Sequence, residues 1–311
     1  MTVRASSALN AAVPARSALF TPAHMPRMVD RALGSDADVL LLDLEDAVPQ
    51  DSKTEGRAIA SGLSQARSVP GLLIRVNGPE SGLLVDDLEA VVQPWLAGVL
   101  LPKAESRDHL AVLDYLLAHF ERRRALPVGH IDIWVSIETA RGVTHCEEIL
   151  AASPRVSGVL VGVAEGGDLH RGLGSRWSPE GLELLYVRSH VLTVARALGV
   201  LNVIEGPYVR HADDPGLRRE ATAARRLGFS GKAAIHPRQV ATINEVFSPD
   251  PEEVAYARRV VEAMEDAIAR GLGATTVDGN MVDVAMLELA RRTLERAGAA
   301  AKIGDGEDSS R

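Results

Sequence analysis

The sequence predicts a TIM-type (β/α)8 barrel with a C-terminal helical extension, and three observations lead to this α/β fold class. Eight short β-rich runs recur between residues 17 and 237. The stretches between them repeat apolar residues at spacings of three and four, as amphipathic helices that connect parallel strands do. None of the runs leads into the G-x-G-x-x-G pattern of dinucleotide-binding sheets, which disfavours an open, doubly wound sheet.

The predicted strands are rich in Val, Leu and Ile with little alternation, as expected for parallel strands that helices cover on both faces. In chain order they are SALFTP (17–22), DVLLLDLE (38–45), GLLIRVN (71–77), GVLLPK (98–103), IDIWVSIE (131–138), SGVLVGV (157–163), GVLNVIE (199–205) and GKAAIHP (231–237). LDYLLAHFERRR and LLYVRSHVLTVARAL are two of the amphipathic segments between them. We therefore expect a flexible N-terminus over residues 1–15 and a catalytic barrel over residues 16–248.

Beyond the eighth strand, the sequence predicts two more amphipathic helices within residues 249–298, separated by LGATTVDGNM. This segment is too short for a second domain, so we expect it to pack against the barrel mouth or against a neighbouring subunit. The tail over residues 299–311 ends in a charged stretch rich in Gly and Ser, which predicts disorder.

The composition disfavours several classes of partner. The 311-residue chain has a formal net charge of −8 at pH 7, whereas nucleic-acid and anionic-membrane binding depend on clustered Lys and Arg. The single Cys146 cannot form an internal disulfide. No apolar run approaches the length of a membrane span or the core of a signal peptide, so we expect a cytoplasmic protein.

Lysine is rare in this chain, and its positions are informative. Of the 34 basic residues only four are lysines, and three of these, Lys53, Lys103 and Lys232, fall beside predicted strand ends. A compact ammonium group suits tight sites where a point charge is needed. These lysines are therefore candidates for a functional role, with a chance distribution of so few residues as the alternative.

Polar side chains follow nearly every predicted strand, at the end of the barrel where active sites form in this fold. Side-chain alternation places Asp43 and Glu45 on one face of strand two, and Arg75 and Asn77 on one face of strand three. The other polar residues near strand ends are Arg16, Lys103, Glu105, Glu138, Asp168, Glu205 and His236. Any one of them alone is more simply a solvated rim residue or part of an internal ion pair, but the whole ring favours an active site.

Several acids at one rim would repel each other unless cations are present, and a divalent metal would supply the positive charge. Glu138 and Asp168 follow the adjacent strands five and six, and their oxygen ligands suit Mg²⁺, with Mn²⁺ also possible. The alternatives are a helix-capping role for Asp168 and a helix-start role for Glu138. No serine lies in a G-x-S-x-G elbow, which leaves acyl-serine chemistry without support.

Several motifs resemble a known family. In order, they are RSALFTPAHMPRMVDRAL, LLDLEDAVPQDSK, IRVNG, LLPKAE, SIETARGV, GDLHRGLG, GFSGKAAIHPRQV and VDGNMVD. From about Arg16 to about Met286 the chain resembles the HpcH/HpaI aldolase and citrate lyase β-subunit family, on its CitE-like branch. The resemblance implies a Mg²⁺-dependent TIM barrel that cleaves or forms a C–C bond between a 2-oxo acid and an acyl thioester. DLEDAV, in place of the Asp-x-Glu-His of the pyruvate aldolases, favours the branch that uses CoA.

The resemblance also implies roles for particular residues. Glu138 and Asp168 would be metal ligands, and Arg75 would bind substrate. Asp43 and Glu45 would belong to the active site. Arg16, Lys103 and Glu138 complete the expected substrate contacts.

Asp283, in GNMVD, would reach the active site of a neighbouring subunit in a homotrimer or a multiple of it. The alternative is that Asp283 only caps the final helix.

The expected reaction is cleavage of a carboxylate-bearing 3-hydroxyacyl-CoA, of the citramalyl, malyl or citryl class, into an acyl-CoA and a 2-oxo acid. Arg75 would stabilise the thioester enolate, and Asp283, Asp43 or Glu45 would protonate it. Two alternatives remain open: a metal-dependent 2-oxo-acid aldolase that acts without CoA, and a non-catalytic barrel subunit of a lyase complex. The expected partners are the 2-oxo acid and the acyl-CoA, with no nucleic acid and no membrane.

Overall fold

A computed structural model of the chain describes residues 13–63 and 71–304, with side chains up to residue 298. Most of the N-terminus that was expected to be flexible, residues 1–12, lies outside the described part, as do residues 305–311. The chain divides into two compact units, one ending at Phe247 and the other beginning at Ser248.

The first unit is a closed barrel of eight parallel strands in sequential order, which confirms the predicted TIM-type fold. The strands are β1 (Ser17–Pro22), β2 (Val39–Asp43), β3 (Leu72–Arg75), β4 (Gly98–Leu101), β5 (Asp132–Ile137), β6 (Val156–Val161), β7 (Asn202–Glu205) and β8 (Gly231–Ala234). Each overlaps its predicted run. Most predicted runs extend past the end of the strand, because residues of the following loop were included in them.

The crossover helices of the barrel follow the strands as the periodicity predicted. They are α1 (Pro26–Leu33), α2 (Lys53–Ser61), α3 (Leu84–Val91), α4 (Arg107–Arg123), α5 (Ala140–Thr144), α6 (Cys146–Leu150), α7 (Asp168–Leu173), α8 (Leu185–Ala197), α9 (Asp214–Leu227) and α10 (Arg238–Phe247). Short 3-10 helices cover Gln50–Ser52, Pro79–Ser81 and Leu182–Leu184.

Strand alternation decides which side chains reach the barrel mouth. Alternate residues pack together inside the barrel, and the residues between them pack against the helices. The interior cluster comprises Ala18, Val39, Leu41, Leu73, Leu100, Trp134, Leu160, Ile204 and Ala233. A Cβ atom on Gly158 would lie 2.4 Å from the Trp134 ring, so only glycine leaves room for this large interior side chain. The barrel is therefore filled, and the next inward-facing residues emerge at its carboxyl end.

The second unit holds α11 (Pro251–Ala269), β9 (Ala274–Val277), β10 (Asn280–Asp283) and α12 (Val284–Gly304). The segment that separates the two predicted helices forms an antiparallel hairpin, which the sequence analysis did not predict. Asp278 and Gly279 both have positive φ, 51° and 81°, as a two-residue type I′ turn requires. An Asp-Gly pair flanked by β-branched residues is a hairpin signal, and the sequence contains it. Helix α12 continues to Gly304, six residues into the range expected to be a disordered tail.

In the described part of the chain, no helix combines the length and the apolar character needed to cross a membrane. The expected cytoplasmic location stays a prediction.

Candidate active site

Asp43 and Arg75 form the base of a polar cluster at the carboxyl end of the barrel. They are the last residues of β2 and β3, and the strand register places them side by side. The guanidinium of Arg75 donates to both carboxylate oxygens of Asp43, with Nε 2.6 Å from Oδ1. Burial opposes the charged form of Arg75, but the hydrogen bond to Asp43 and the surrounding carboxylates outweigh it and raise the pKa of Arg75.

The same Asp43 carboxylate also orders the loop that follows β2. Its two oxygens accept the backbone N–H groups of Glu45 and Ala47, at 2.8 and 3.0 Å. Asp43 is 1% exposed, so both of its oxygens are committed to structural hydrogen bonds. This explains why a buried strand ends in acids: the first of them shapes the loop, and the next ones face the mouth.

Glu45 lies beside Arg75 and Lys103 with its carboxylate between them. One oxygen accepts from the Lys103 ammonium and the other lies 3.3 Å from Nη1 of Arg75. Burial raises the pKa of Glu45, and the opposing effects of Arg75 and Lys103 only partly offset it. Glu45 is thus the carboxyl group of the cluster best suited to carry a proton.

Lys103 connects the loops that follow four strands. Its backbone N–H donates to Oε1 of Glu138 at 2.9 Å. Its ammonium donates to Oδ2 of Asp46 at 2.7 Å and lies 3.6 Å from Oδ2 of Asp168. Burial opposes its charge, but the hydrogen bonds to Asp46 and Glu45 prevail and raise the pKa of Lys103. With φ of 47°, Lys103 holds a left-handed conformation that is uncommon for a residue with a side chain, as often found at functional sites.

Glu138 and Asp168 are both neighbours of Lys103. Glu138 directly follows β5, and Asp168 is the first residue of α7, in the loop region after the neighbouring β6. A Cβ atom on Gly162 would lie 2.3 Å from Cβ of Glu138, so glycine at this position of β6's loop makes room for the Glu138 side chain. Both carboxylates therefore contact the same lysine, Glu138 at its backbone N–H and Asp168 at the end of its side chain.

Neither structural alternative for these two acids is found. Thr139, not Glu138, caps α5, because its side chain accepts the Gly142 N–H. The capping position of α7 is Gly167, and the Asp168 side chain forms an ion pair with Arg171 instead.

Two half-buried carboxylates fit a divalent metal. Hard oxygen donors suit Mg²⁺ and Mn²⁺, and Mg²⁺ is commonly held by one or two carboxylates with water in the other positions. Among the described residues, no group of three or more His, Cys, Asp and Glu side chains could hold a metal. Glu138 and Asp168 would therefore leave most coordination positions to water and substrate.

Two cavities flank Lys103 at the mouth. A cavity of about 380 Å³ is lined by the loops after β2, β3 and β4 and includes Glu45, Asn77 and His109. A second cavity, of about 540 Å³, includes Asp168 together with Arg141 and Arg171. The polar cluster is therefore accessible from two sides.

Lys53 is a buried residue that links the loop after β2 to Asn77 through hydrogen bonds. It is 8% exposed, and its ammonium donates to the carbonyl oxygens of Leu44 and Glu45, both at 2.7 Å, and to Oδ1 of Asn77 at 2.9 Å. Burial lowers the pKa of Lys53, although nearby carboxylates oppose the shift. Asn77 in turn donates to Asp87 on α3 through its backbone N–H and its side chain, at 2.8 and 2.6 Å. Sequence reasoning missed Asp87, because an acid in the first turn of a helix is common.

The strand-end pattern suggested that Lys232 and Glu205 face the barrel mouth, but they do not. Both point outward from the barrel, where the Lys232 ammonium donates to Glu205 at 2.6 Å, to Glu220 at 2.7 Å and to the Gly206 carbonyl at 2.8 Å. Arg188 of α8 forms a further ion pair with Glu205. Because the adjacent Ile204 faces the interior, alternation turns Glu205 towards the helices rather than the mouth.

The expectation that Arg16 contacts substrate is wrong. Arg16 precedes β1 and lies at the amino end of the barrel, where its guanidinium binds both oxygens of Asp38 at 2.8 and 2.9 Å. The six residues of β1 separate it from the mouth by about 20 Å at roughly 3.3 Å per residue. The ion pair between Arg16 and Asp38 links the residues that directly precede β1 and β2.

His236 and Asp283 both have structural contacts. The ring of His236 stacks on His211 with centroids 5.1 Å apart, and its Nδ1 accepts the Arg238 N–H.

Asp283 belongs to the second unit, where its Oδ1 accepts the Met286 N–H at 3.1 Å and caps α12. The capping alternative for Asp283 is therefore present, and it does not test a second role in a neighbouring chain.

Comparison with known proteins agrees with the barrel fold. The family model described as HpcH/HpaI aldolase/citrate lyase matches residues 16–237. A (3S)-malyl-CoA thioesterase of Cereibacter sphaeroides is 35% identical over 290 residues, which cover 93% of this chain and 96% of that protein. A citrate lyase subunit beta of Escherichia coli is 34% identical over 284 residues, covering 91% and 93%. The structure of CitE from Mycobacterium tuberculosis with magnesium, acetoacetate and coenzyme A has a TM-score of 0.73 and 29% identity, covering 92% of this chain and 99% of that one.

Proposed function

The chain belongs to the HpcH/HpaI aldolase/citrate lyase family, and on this premise we propose that it is a Mg²⁺-dependent lyase that cleaves a 3-hydroxyacyl-CoA with a carboxylate on its hydroxyl-bearing carbon. The products would be an acyl-CoA and a 2-oxo acid. The observation that carries the proposal is the convergence of Arg75, Glu45, Glu138 and Asp168 on Lys103 and its neighbours at one barrel mouth.

Glu138 and Asp168 would hold the metal, with Mg²⁺ as the preferred ion and Mn²⁺ as an alternative. A bound divalent ion would draw charge from the carboxylate and hydroxyl of the substrate and ease loss of the hydroxyl proton. The family relative CitE, whose structure contains magnesium and coenzyme A, supports both the metal and the use of CoA.

Arg75 would stabilise the thioester enolate that forms when the C–C bond breaks. Asp43 holds its guanidinium in a two-pronged contact, so the group is oriented before substrate binds. Donors that are fixed in advance stabilise developing charge without a further cost of reorganisation. The 13% exposure of the Arg75 side chain supports an orientation with one edge towards the mouth.

Glu45 is the best candidate among the barrel residues for protonating the enolate carbon. Its pKa is raised by burial, so a larger fraction of the group carries a proton than for an exposed glutamate. Asp43 is less suited, because backbone N–H groups and Arg75 occupy its oxygens. One proton leaves the hydroxyl and one reaches the enolate carbon, so the cleavage needs no further reactant.

The two rival functions have less support. A non-catalytic subunit has no need of a strained Lys103 or of paired acids at the mouth. The relative named (3S)-malyl-CoA thioesterase adds a third rival function, hydrolysis of the thioester bond without cleavage of the C–C bond. An aldolase that acts without CoA would use the same metal site.

One assay separates these outcomes. The purified protein is incubated with Mg²⁺ and with malyl-, citramalyl-, β-methylmalyl- or citryl-CoA, and all products are quantified by chromatography. We expect acetyl-CoA or propionyl-CoA and an equal amount of 2-oxo acid. Free CoA with an intact hydroxy acid would identify a thioesterase. A parallel incubation offers free 4-hydroxy-2-oxo acids, and cleavage of these with no turnover of any thioester would identify the aldolase.

We also propose that Asp283 acts in the active site of a neighbouring chain, in a homotrimer or a multiple of it. Asp283 lies at the end of a hairpin in a unit distinct from the barrel, so it belongs to an appendage that could cross a subunit interface. In this arrangement the carboxylate from the second chain, in place of Glu45, would protonate the enolate carbon, so its loss would stop turnover.

Mixed oligomers test this proposal. Glu138→Gln and Asp283→Ala chains should each be inactive alone. After co-expression, about a quarter of the sites in a head-to-tail ring would combine an intact Glu138 with a neighbour's intact Asp283, and activity should return to that level. If mass measurement shows mixed oligomers and the mixture stays inactive, Asp283 does not act between chains. Asp266→Ala, which changes another acid of the same unit, is the control.

A further inference from the structure

Lys53 is a buried cation to which the proposed chemistry assigns no role. It is the first residue of α2, where the partial positive charge of a helix N-terminus disfavours a cation. Burial also opposes the charged form and lowers the pKa of Lys53. Both effects oppose a lysine at this position, so the contacts of its ammonium group must offset them.

The ammonium of Lys53 is fully occupied by its hydrogen bonds. It has three N–H donors. The carbonyl oxygens of Leu44 and Glu45 both lie 2.7 Å from Nζ, and Oδ1 of Asn77 lies 2.9 Å from it. With three acceptors in place, Lys53 has no donor left for a substrate. Any influence of Lys53 on the reaction must therefore pass through the groups that it binds.

Two of these acceptors belong to consecutive residues, which a strand would direct to opposite sides. The carbonyls of Leu44 and Glu45 instead converge on one nitrogen, so the backbone turns here, directly after the end of β2. The Asn77 side chain also donates to the Leu44 oxygen, at 3.0 Å. The Val48 N–H also donates to the Glu45 oxygen, at 3.0 Å. Lys53 is the donor that the two carbonyls share, and it holds the turn together.

This turn fixes the backbone on both sides of the Glu45 side chain. The N–H of Glu45 donates to Oδ1 of Asp43 at 2.8 Å, and its carbonyl accepts from Lys53. From this backbone the Glu45 carboxylate extends to Arg75 and Lys103. A change in the backbone at Glu45 would therefore displace the carboxylate that faces the site.

The network that holds Lys53 is anchored on the helical side of the barrel. Asn77 donates to the buried Asp87 through its N–H and its Nδ2, which leaves Oδ1 to face Lys53. Asp87 also accepts from Nε of Arg57 at 2.7 Å. Arg57 is four residues after Lys53, on the same face of α2. The helix thus contacts the network at two points, and it sets the position of Lys53 independently of the loop.

We infer that Lys53 is a positioning residue for the proposed reaction: by holding the turn after β2, it keeps the Glu45 carboxylate in place beside the reacting atoms. The inference rests on the proposed function, in which Glu45 belongs to the active site. A compact ammonium suits three oxygens that converge on one point, whereas a planar guanidinium does not. The rare lysine at this strand end thus has a role that needs no contact with substrate.

Lys53→Met tests the inference, because it removes the ammonium and nearly keeps the length of the side chain. The Leu44 and Glu45 carbonyls each keep their second donor, so the variant should fold. We expect kcat for the preferred thioester to fall on the order of 100-fold, the loss that a misplacement of about 1 Å can cause. KM and the Mg²⁺ affinity should change little, because Lys53 contacts neither ligand.

A double variant separates positioning from a role of Lys53 on its own. If Lys53 acts only through Glu45, adding Lys53→Met to Glu45→Gln should lower kcat no further. A further fall in the double variant would overturn the inference, since Lys53 would then act independently of Glu45. A normal kcat with a lower melting temperature in Lys53→Met would also overturn it, because Lys53 would then only stabilise the loop.

Lys232→Met is the matched control. Lys232 is also a buried lysine with three oxygen partners, but these lie on the helical side of the barrel. The control should lose thermal stability and keep its kcat.

Asn77→Ala takes the place of Lys53→Met if that variant does not fold. It removes one acceptor of Lys53, while Asp87 keeps its contact with Arg57 and the Leu44 oxygen keeps Lys53. Its kcat should also fall, and it should fall no further in the Glu45→Gln background. An unchanged kcat would overturn the inference.

Failure of this inference and failure of the proposed function give different results. If Glu45→Gln is slow and Lys53→Met has a normal kcat, the inference fails and the lyase function stands. If Glu45→Gln keeps full activity, Glu45 is not part of the machinery and the inference fails with that role. If the wild-type protein cleaves no thioester, the proposed function fails and the inference falls with it.

Discussion

Replacing Glu138 with glutamine is expected to abolish turnover and leave the barrel folded. The substitution removes one of two carboxylates that would hold the metal, and a hard divalent cation binds a neutral amide much less strongly. Loss of groups that only orient metal ligands already costs roughly 10- to 100-fold in metal affinity, so the loss of a ligand should cost at least that much. Glutamine has nearly the same volume as glutamate. Because residue 138 is also only half-buried, the substitution forms no cavity.

Three measurements check this result. Calorimetry gives the Mg²⁺ affinity, a steady-state assay gives kcat/KM for the preferred thioester, and thermal unfolding reports the fold. Glu147→Gln, at an exposed position of α6, removes the same charge outside the site and should change none of them. EDTA should abolish wild-type turnover, and Mg²⁺ or Mn²⁺ should restore it. Full activity in a rigorously metal-free sample would contradict the proposed mechanism.

Arg75→Lys is expected to lower kcat/KM by roughly 100- to 1,000-fold, the range found when one donor to a developing oxyanion is lost. Arg75 uses two of its nitrogens on Asp43 and directs a third towards Glu45. A lysine ammonium carries the same charge but cannot hold both oxygens of Asp43 and still present an oriented donor to the enolate. Asp43 would keep at most part of its two-pronged hydrogen bonding with residue 75. The loop after β2, which Asp43 orders, would then be held less firmly.

Arg57→Lys is the matched control for this substitution. Arg57 donates to the buried Asp87 at 2.7 Å, so it is also an arginine in an ion pair with a buried acid, but on the helical side of the barrel. It should lose thermal stability with little change in kcat/KM. If Arg75→Lys behaves in the same way, with a lower melting temperature and normal kinetics, then Arg75 is a structural partner of Asp43 and not a substrate-binding residue.

The barrel was predictable because each strand carries its own signal. VLLLD is apolar on both faces, since one face packs inside the barrel and the other against helices, and this pattern needs no knowledge of distant contacts. The polar residues that end β2 and β3 indicated the barrel mouth, and this signal also lies within short segments of sequence. The rarity of lysine pointed to Lys53 and Lys103, and both lie at the centre of the hydrogen-bond network there.

The errors come from places where a local pattern is ambiguous. Arg16 was counted among the residues near strand ends, although it precedes the first predicted strand and therefore lies at the amino end of the barrel, where the structure pairs it with Asp38. Glu205 ends a strand, but a shift of one residue in the alternation turns a side chain from the mouth to the helices. The hairpin after α11 was signalled by Asp278 and Gly279, and the helical periodicity on both sides obscured it.

By itself, the sequence determined the order and type of the barrel elements and the acids that follow β2, β5 and β6, because strand pattern and loop position are properties of short segments. Only the tertiary structure decided the pairings: that Arg75 binds Asp43, that Glu45 lies between two cations, and that Lys103 touches both Glu138 and Asp168. These residues are up to 125 positions apart in the chain, counting from Asp43 to Asp168. Closure of the barrel brings them together, and the strand register and the loop conformations that only the folded chain adopts set which atoms meet.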